Sequence, residues 1–121
     1  MNQVVLSATG LYNPPESISN EELVVSFNAY VDRYNETHAD EIAAGQKTPL
    51  SHSNAEFITK ASGIESRYVV DKAGILDPDV MHPQIRTRGN DEPSIQCEMA
   101  LAAIDDCLKS AGRRADEVDA I

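Results

Sequence analysis

Cys97, Cys107 and the three histidines carry the widest chemical reach in this chain of 121 residues. A catalytic thiolate needs a lowered pKa, supplied by a helix N-terminus or a neighbouring base. Cys97 meets the first condition, because it falls in the first turn of a predicted helix; its alternative is a small apolar residue on that helix's buried stripe. Cys107 falls in the last turns, where the helix dipole opposes a thiolate, and reads as core. Ten residues apart on one helix, the two thiols lie about 15 Å apart along its axis, out of disulfide reach. His38, His52 and His82 are scattered, and none has a partner at ligand spacing such as His-x-x-x-His, so they read as solvated surface. Asp77-Pro78-Asp79 lacks the further acidic positions and the bidentate glutamate of a calcium loop, and reads as a proline turn. Ser62 precedes Gly63, but no glycine stands two residues before the serine to form a strained nucleophile elbow. Gly10 alone in Ala8-Thr9-Gly10 makes no phosphate loop. By residue chemistry the chain offers no catalytic residue and no metal site.

Composition narrows the class. The chain is 41% hydrophobic and 25% charged, ordinary for one soluble domain with a core. Its net charge of -10 argues against nucleic acid, whose phosphates need clustered Lys and Arg. No apolar run reaches the length of a membrane helix, and Met1 to Leu6 lacks the pattern of a secretory signal. The expectation is a reduced, cytoplasmic protein.

The elements that must position these groups follow from periodicity and punctuation. Gln3 to Ala8 predicts a strand, and Pro14-Pro15 an extended turn. Ser19-Asn20-Glu21-Glu22 is a capping box that opens a helix through Leu23, Val24, Phe27 and Tyr30, whose spacing marks packing residues. From Val31 to Ser53 the chain is polar, read as a solvated helix to about Ala44, a stop at Gly45 and a loop over Thr48-Pro49-Leu50. Ser53 with Glu56 has capping-box spacing for a short helix that Gly63 ends in the left-handed conformation. A strand follows at Ser66 to Val70, carrying Arg67. Asp71 to Glu92 reads as a long irregular segment, of the kind that is functional or disordered. Pro93 is placed at the first position of a helix whose stripe is Cys97, Leu101, Ile104, Leu108 and Ala111, ended by Gly112. Arg113 to Asp116 is a turn, and Glu117 to Ile121 reads as the start of a strand. Three strand candidates separated by helices make an α/β fold, an open layer lacking its remaining strands. The chain therefore reads as a fragment.

In this order, four pieces resemble the N-terminal portion of a β-ketoacyl-acyl carrier protein synthase III, of the thiolase superfamily. They are Ala8-Thr9-Gly10-Leu11-Tyr12 with Pro15; Ser19-Asn20-Glu21-Glu22-Leu23; Phe57 through Arg67; and Ala111-Gly112 with Glu117 through Ile121. The resemblance spans nearly all of residues 1–121 and implies an incomplete thiolase-like layered fold, the N-terminal part of the first half. Two segments, about 28–52 and 74–92, are longer than the compact family pattern and read as insertions that reshape the acyl-donor mouth or a dimer surface.

The resemblance also implies a function. Such enzymes condense an acyl primer, usually from acyl-CoA, with malonyl-acyl carrier protein in fatty-acid biosynthesis, and they are homodimers. Their acyl-accepting cysteine lies beyond the strand that starts at Val118, and their histidine and asparagine lie further on. None maps onto this chain, so the resemblance argues against Cys97 as nucleophile and implies no activity for these residues alone. One family site does fall here. A tryptophan and, four residues on, an arginine hold the adenine of CoA; those positions are Phe57 and Ala61. Phe57 keeps an aromatic face, Lys60 offers a charge beside the lost guanidinium, and Ser62 keeps a small hydroxyl next to the glycine. The expected donor-binding residues are thus Phe57, Lys60 and Ser62, with acyl-CoA a substrate and no resident cofactor, and with a primer other than acetyl-CoA. Phe57 has core packing as its alternative. Acyl carrier protein is the expected partner; it is acidic, as this chain is, and Arg86, Arg88, Arg113 and Arg114 offer local basic contacts. Two other readings stand beside this one: a non-catalytic α/β interaction module, and another thiolase relative such as a head-to-head acyl condenser or a hydroxymethylglutaryl-CoA synthase type.

Overall fold

The computed structural model describes residues 5–118, in two compact units: one of residues 14–85, the other built from the described residues on either side of it. The first mixes helix with a two-stranded sheet, as expected of a partial α/β fold; the second is helical among the described residues.

In the first unit the order is β1 (Glu16–Ser19), α1 (Asn20–Thr37), α2 (Ala39–Ala43), α3 (Ala55–Ser62), β2 (Ser66–Val69) and α4 (Lys72–Leu76). β1 occupies chain that reads as an extended turn after Pro14-Pro15. It is a strand because β2 supplies a ladder, antiparallel, with Ile18 opposite Arg67 and Ser17 opposite Tyr68. Such pairing joins residues far apart in sequence and leaves no local signal. Ile18 is fully buried. The capping box at α1 is formed as read: Ser19 Oγ accepts from Glu22 N–H at 3.2 Å, and Ser19 N–H donates to Glu22 Oε2 at 3.0 Å. Glu22 also pairs with Lys72 Nζ at 2.5 Å. The Lys72 ammonium and the Ser19 amide together hold its carboxyl below the usual carboxylate range.

The polar stretch after Tyr30 differs from its reading. α1 runs on unbroken to Thr37 and buries Val31 completely, so this half of the helix is anchored in the core. It breaks at His38, whose ring meets Tyr34 edge-on at 4.5 Å and lies 3.2 Å from Glu41 Oε1 and 3.1 Å from Lys47 Nζ. His38 is therefore half-buried, a correction to its reading as solvated. Gly45 closes the segment at φ 70°. The segment 71–92 is less irregular than its prolines imply. Asp71 caps α4 through Gly74 N–H and also accepts from Gln84 N–H, a contact across thirteen residues that sequence spacing does not announce.

The second unit is built on α5 (Ile95–Ala111) and a single 3-10 turn (Ala115–Glu117). Ser94 is the N-cap and accepts from Cys97 N–H, so Pro93 stands outside the helix, one place before the cap rather than at its first position. A hydroxyl in extended conformation out-competes proline for the start because it satisfies an amide. Gly112 ends α5 at φ 62° as read. The N-terminal segment lies close against α5: a Cβ on Gly10 would fall on Ala103 O and 2.5 Å from Cys107 N, and Leu11 N–H donates to Asp106 Oδ2 at 3.0 Å. Residues 5–8 carry no strand, contrary to the sequence reading, and Leu6 is 96% exposed. A strand there has no ladder partner among the described residues. Residues 3 and 4 of that reading, and 119–121 of the final one, lie outside the described residues; 117 and 118 are not strand.

Candidate functional site

The residues singled out for donor binding sit on α3, and its start lies one residue from where the spacing puts it. The cap is Asn54, at φ -143° and ψ 158°, whose Oδ1 accepts from Phe57 N–H at 2.8 Å. Ser53 is occupied elsewhere through its backbone, donating to Asn28 Oδ1. Glu56 is consequently not a capping-box partner; it pairs with Lys60 Nζ at 2.7 Å, one turn on. Gly63 ends the helix at φ 71° with its N–H on Thr59 O, as expected of a left-handed glycine stop.

Along α3, Phe57 and Lys60 are three residues apart and share a face. Phe57 is 63% exposed, so core packing does not describe it in this structure. Lys60 is exposed and its charge is partly offset by Glu56. Ala61 shares this face and presents only a methyl group. Ser62, at 100° per residue, lies on the far side of the helix from Lys60. Its hydroxyl donates to Ile58 O at 2.7 Å and accepts from Ile64 N–H at 3.1 Å. The structure thus brings Phe57 and Lys60 together and leaves Ser62 engaged in ending the helix.

The inner side of α3 is fixed by a residue that sequence reading treats only as part of a capping box. Asn20, 1% exposed, donates from Nδ2 to Thr59 Oγ1 at 3.0 Å and to Ile64 O at 2.6 Å, and its Oδ1 accepts from Arg67 Nη2 at 3.0 Å. Its backbone N–H adds a bond to Glu65 O at 3.1 Å. One side chain therefore ties the first turn of α1, the body of α3, the chain after Gly63 and β2. Arg67 keeps one buried nitrogen, Nη1, without a partner among the described residues. Above this junction an apolar groove runs between α1 and α3, lined by Leu23, Val24, Phe27, Ser53, Ile58 and Met81.

The remaining candidates are placed apart from α3. Cys97 is exposed on α5 and Cys107 half-buried; both are free thiols, and the buried stripe read for α5 buries no residue among those described. Cys107, Ile104, Leu108 and Ala111 instead line an apolar concavity with Val5, Leu6 and Val118. His52 Nε2 lies 2.7 Å from Asp32 Oδ1, and His82 is exposed. No cluster of histidine, cysteine and carboxylate able to hold a metal occurs among the described residues. The four arginines read as local basic contacts are each paired: Arg86 with Glu92, Arg88 with Glu98, Arg113 with Glu117 and Arg114 with Asp116. They offer no free basic patch. Among the described residues, no helix is long and apolar enough to cross a membrane.

The comparisons give the family: the chain is a sequence relative of the β-ketoacyl-acyl carrier protein synthases. The relative in question is the β-ketodecanoyl-[acyl-carrier-protein] synthase of Pseudomonas aeruginosa, 51% identical over 96 residues. The match takes in 79% of this chain, and the chain spans 27% of that enzyme's length. No protein-family model matches the chain.

Proposed function

We propose that these residues form the N-terminal part of a type III β-ketoacyl-acyl carrier protein synthase that extends a medium-length acyl primer, delivered as acyl-CoA. In this reading malonyl-acyl carrier protein loses CO2 as its α-carbon bonds to the primer's carbonyl carbon, the thiol that carried the primer departs from that carbon, and the ketoacyl product stays on acyl carrier protein. The identity to the β-ketodecanoyl enzyme carries the proposal. A ten-carbon ketoacyl product made by two-carbon extension starts from an eight-carbon acyl group. A match of 96 residues is longer than the chain outside 28–52 and 74–92, so it takes in part of those segments. The segments are thus shared, in part, with that enzyme.

The site itself supports an altered donor entrance. Phe57 presents an open ring for the adenine of CoA, and Ala61 supplies no guanidinium. In this reading the catalytic cysteine, histidine and asparagine implied by the family map onto no residue of these 121, and the chain alone is expected to make no product. The intact enzyme is read as a reduced, cytoplasmic homodimer whose partner is acyl carrier protein.

The test uses the intact natural polypeptide with malonyl-acyl carrier protein and a series of acyl-CoA donors. Octanoyl-CoA is expected to outrun acetyl-CoA, and preference for acetyl-CoA overturns the primer assignment. Phe57→Ala is expected to raise KM for the CoA donor about tenfold, the loss of one stacked base. Ala61→Arg is expected to lower it.

A further inference from the structure

The chain that feeds α3, from Thr48 to Ser53, has no helix or strand of its own, yet it is bound to α1 along its length. Asn28 Nδ2 donates to Ser53 O at 3.1 Å, while Ser53 N–H donates to Asn28 Oδ1 at 2.9 Å. Asn35 repeats the arrangement on Leu50, with both bonds at 2.9 Å. Between them His52 Nε2 meets Asp32 Oδ1 at 2.7 Å. Asn28, Asp32 and Asn35 follow i, i+4, i+7 and so form one stripe of the helix. A carboxamide sets a donor beside an acceptor, as a neighbouring strand's backbone does in a sheet. α1 therefore serves an extended chain as a ladder made of side chains. Asparagine is a poor residue for a helix interior, and two on one stripe weaken α1 unless they bond something.

We propose that Asn28 and Asn35 are positioning residues that set where α3 presents Phe57 and Lys60 to the acyl donor. The inference rests on the reading of α3 as the donor-binding element. Ser53 directly precedes the cap Asn54, so the Asn28 pair fixes the point from which α3 grows. The chain between the two clamps and α1, including α2 and Gly45, is then a loop closed at its base. Its length and sequence can change without moving α3. Position is set by the clamp, and the bulk of the 28–52 segment is free to serve another end.

The experiment uses the intact natural polypeptide. Asn28→Ala strips two partners from Ser53, and KM for the acyl-CoA donor is expected to rise about tenfold with kcat at saturating donor and KM for malonyl-acyl carrier protein within about twofold. Asn28→Asp keeps the acceptor and loses the donor, and is expected to fall between. Replacing residues 39–46 by a short glycine-serine link, with both clamps kept, is expected to leave donor KM unchanged. Amide exchange at Leu50 and Ser53 reports whether each clamp has opened. An open clamp with unchanged donor KM overturns this inference alone. So does a donor KM that follows the loop replacement, or an equal rise in both KM values. A wild-type enzyme that condenses no acyl donor instead removes the reading beneath it.

Discussion

The two long helices, α1 and α5, are started by a serine hydroxyl on the amide three residues on. Their flanks differ. α1 buries Asn20, Ser26 and Val31, and Asn20, Asn28, Asp32 and Asn35 bond neighbouring chain through their side chains. α5 buries no residue among those described and leaves Leu101 55% exposed. Its tightest contact is steric, the backbone of Gly10 against Ala103 and Cys107. The first unit is thus organised by directional polar bonds around a small apolar centre, Ile18 and Val31. Around α5 the apolar side chains are present, but the described residues do not cover them. A two-residue apolar centre supplies little burial energy, so the hydrogen bonds of the first unit must select its arrangement rather than merely decorate it.

The comparison is broken most directly at Asn20. Asn20→Ala removes both donors from the bond set around Ile64 and Thr59 and leaves the Arg67 guanidinium, already short of one partner, without its amide. Unpaired buried groups cost more than the bonds themselves return. The expected loss is about 3 kcal/mol, read as a lower urea midpoint with unchanged slope in the intact polypeptide. A loss under about 0.5 kcal/mol would mean that polar bonds do not organise this unit.

Gly10→Ala tests the other side. The φ of Gly10 is ordinary, so the obstacle is space, and the added methyl group has only backbone to push against. Overpacking of that kind costs about 2 kcal/mol. The signature is local: the Leu11 amide, bonded to Asp106, should exchange faster while Ser53 and Leu50 stay protected. Equal deprotection of both units would show that they respond as one.

What was legible in the sequence follows the same division. The box at Ser19 and the stops at Gly45, Gly63 and Gly112 depend on residues within four positions of one another. Local chemistry sets them, so spacing finds them. Asn54, not Ser53, caps α3, and the Ser53 backbone is held instead by Asn28, twenty-five residues back. β1 needed β2, and the second bond on the α4 cap, from Gln84 to Asp71, joins residues thirteen apart. Two asparagines seven residues apart on a predicted helix were a visible signal for the clamp, since that residue type is costly there without partners. The family was legible; the packing of Asn20 beneath α3 was not, because its partners stand 39 to 47 residues away.

A smaller effect separates cap from clamp. Asn54→Ala removes only the bond to the Phe57 amide and should cost about 1 kcal/mol. If it costs as much as Asn20→Ala, α3 is held by its own cap, and the case for the α1 clamp weakens. Acid does similar work at the next turn of chain. The amides of Gln84 and Gly74 hold the Asp71 carboxyl below the usual carboxylate range. A lowered folded value means the stabilisation is present above the ordinary carboxylate range and is lost as pH falls through the folded value. The wild type's advantage over Asp71→Asn should therefore shrink in that acid window and hold steady at neutral pH, as followed by amide exchange at Gln84.

Lys60→Ala should move stability least, and for that reason it isolates the site from the scaffold. Lys60 and Glu56 form an exposed pair one helical turn apart, with the acid on the N-terminal side. Such pairs contribute no more than about 0.5 kcal/mol and fade with salt. Removing Lys60 also frees a carboxylate next to Phe57, on the face proposed to meet the phosphates and adenine of CoA. The expected result is an unchanged urea midpoint with a raised KM for acyl-CoA, an increase that shrinks as salt is added. Glu56→Gln should do the opposite at the same midpoint, lowering that KM by freeing the ammonium. If neither substitution moves donor KM, this face of α3 does not meet the donor, whatever the clamp beneath it does.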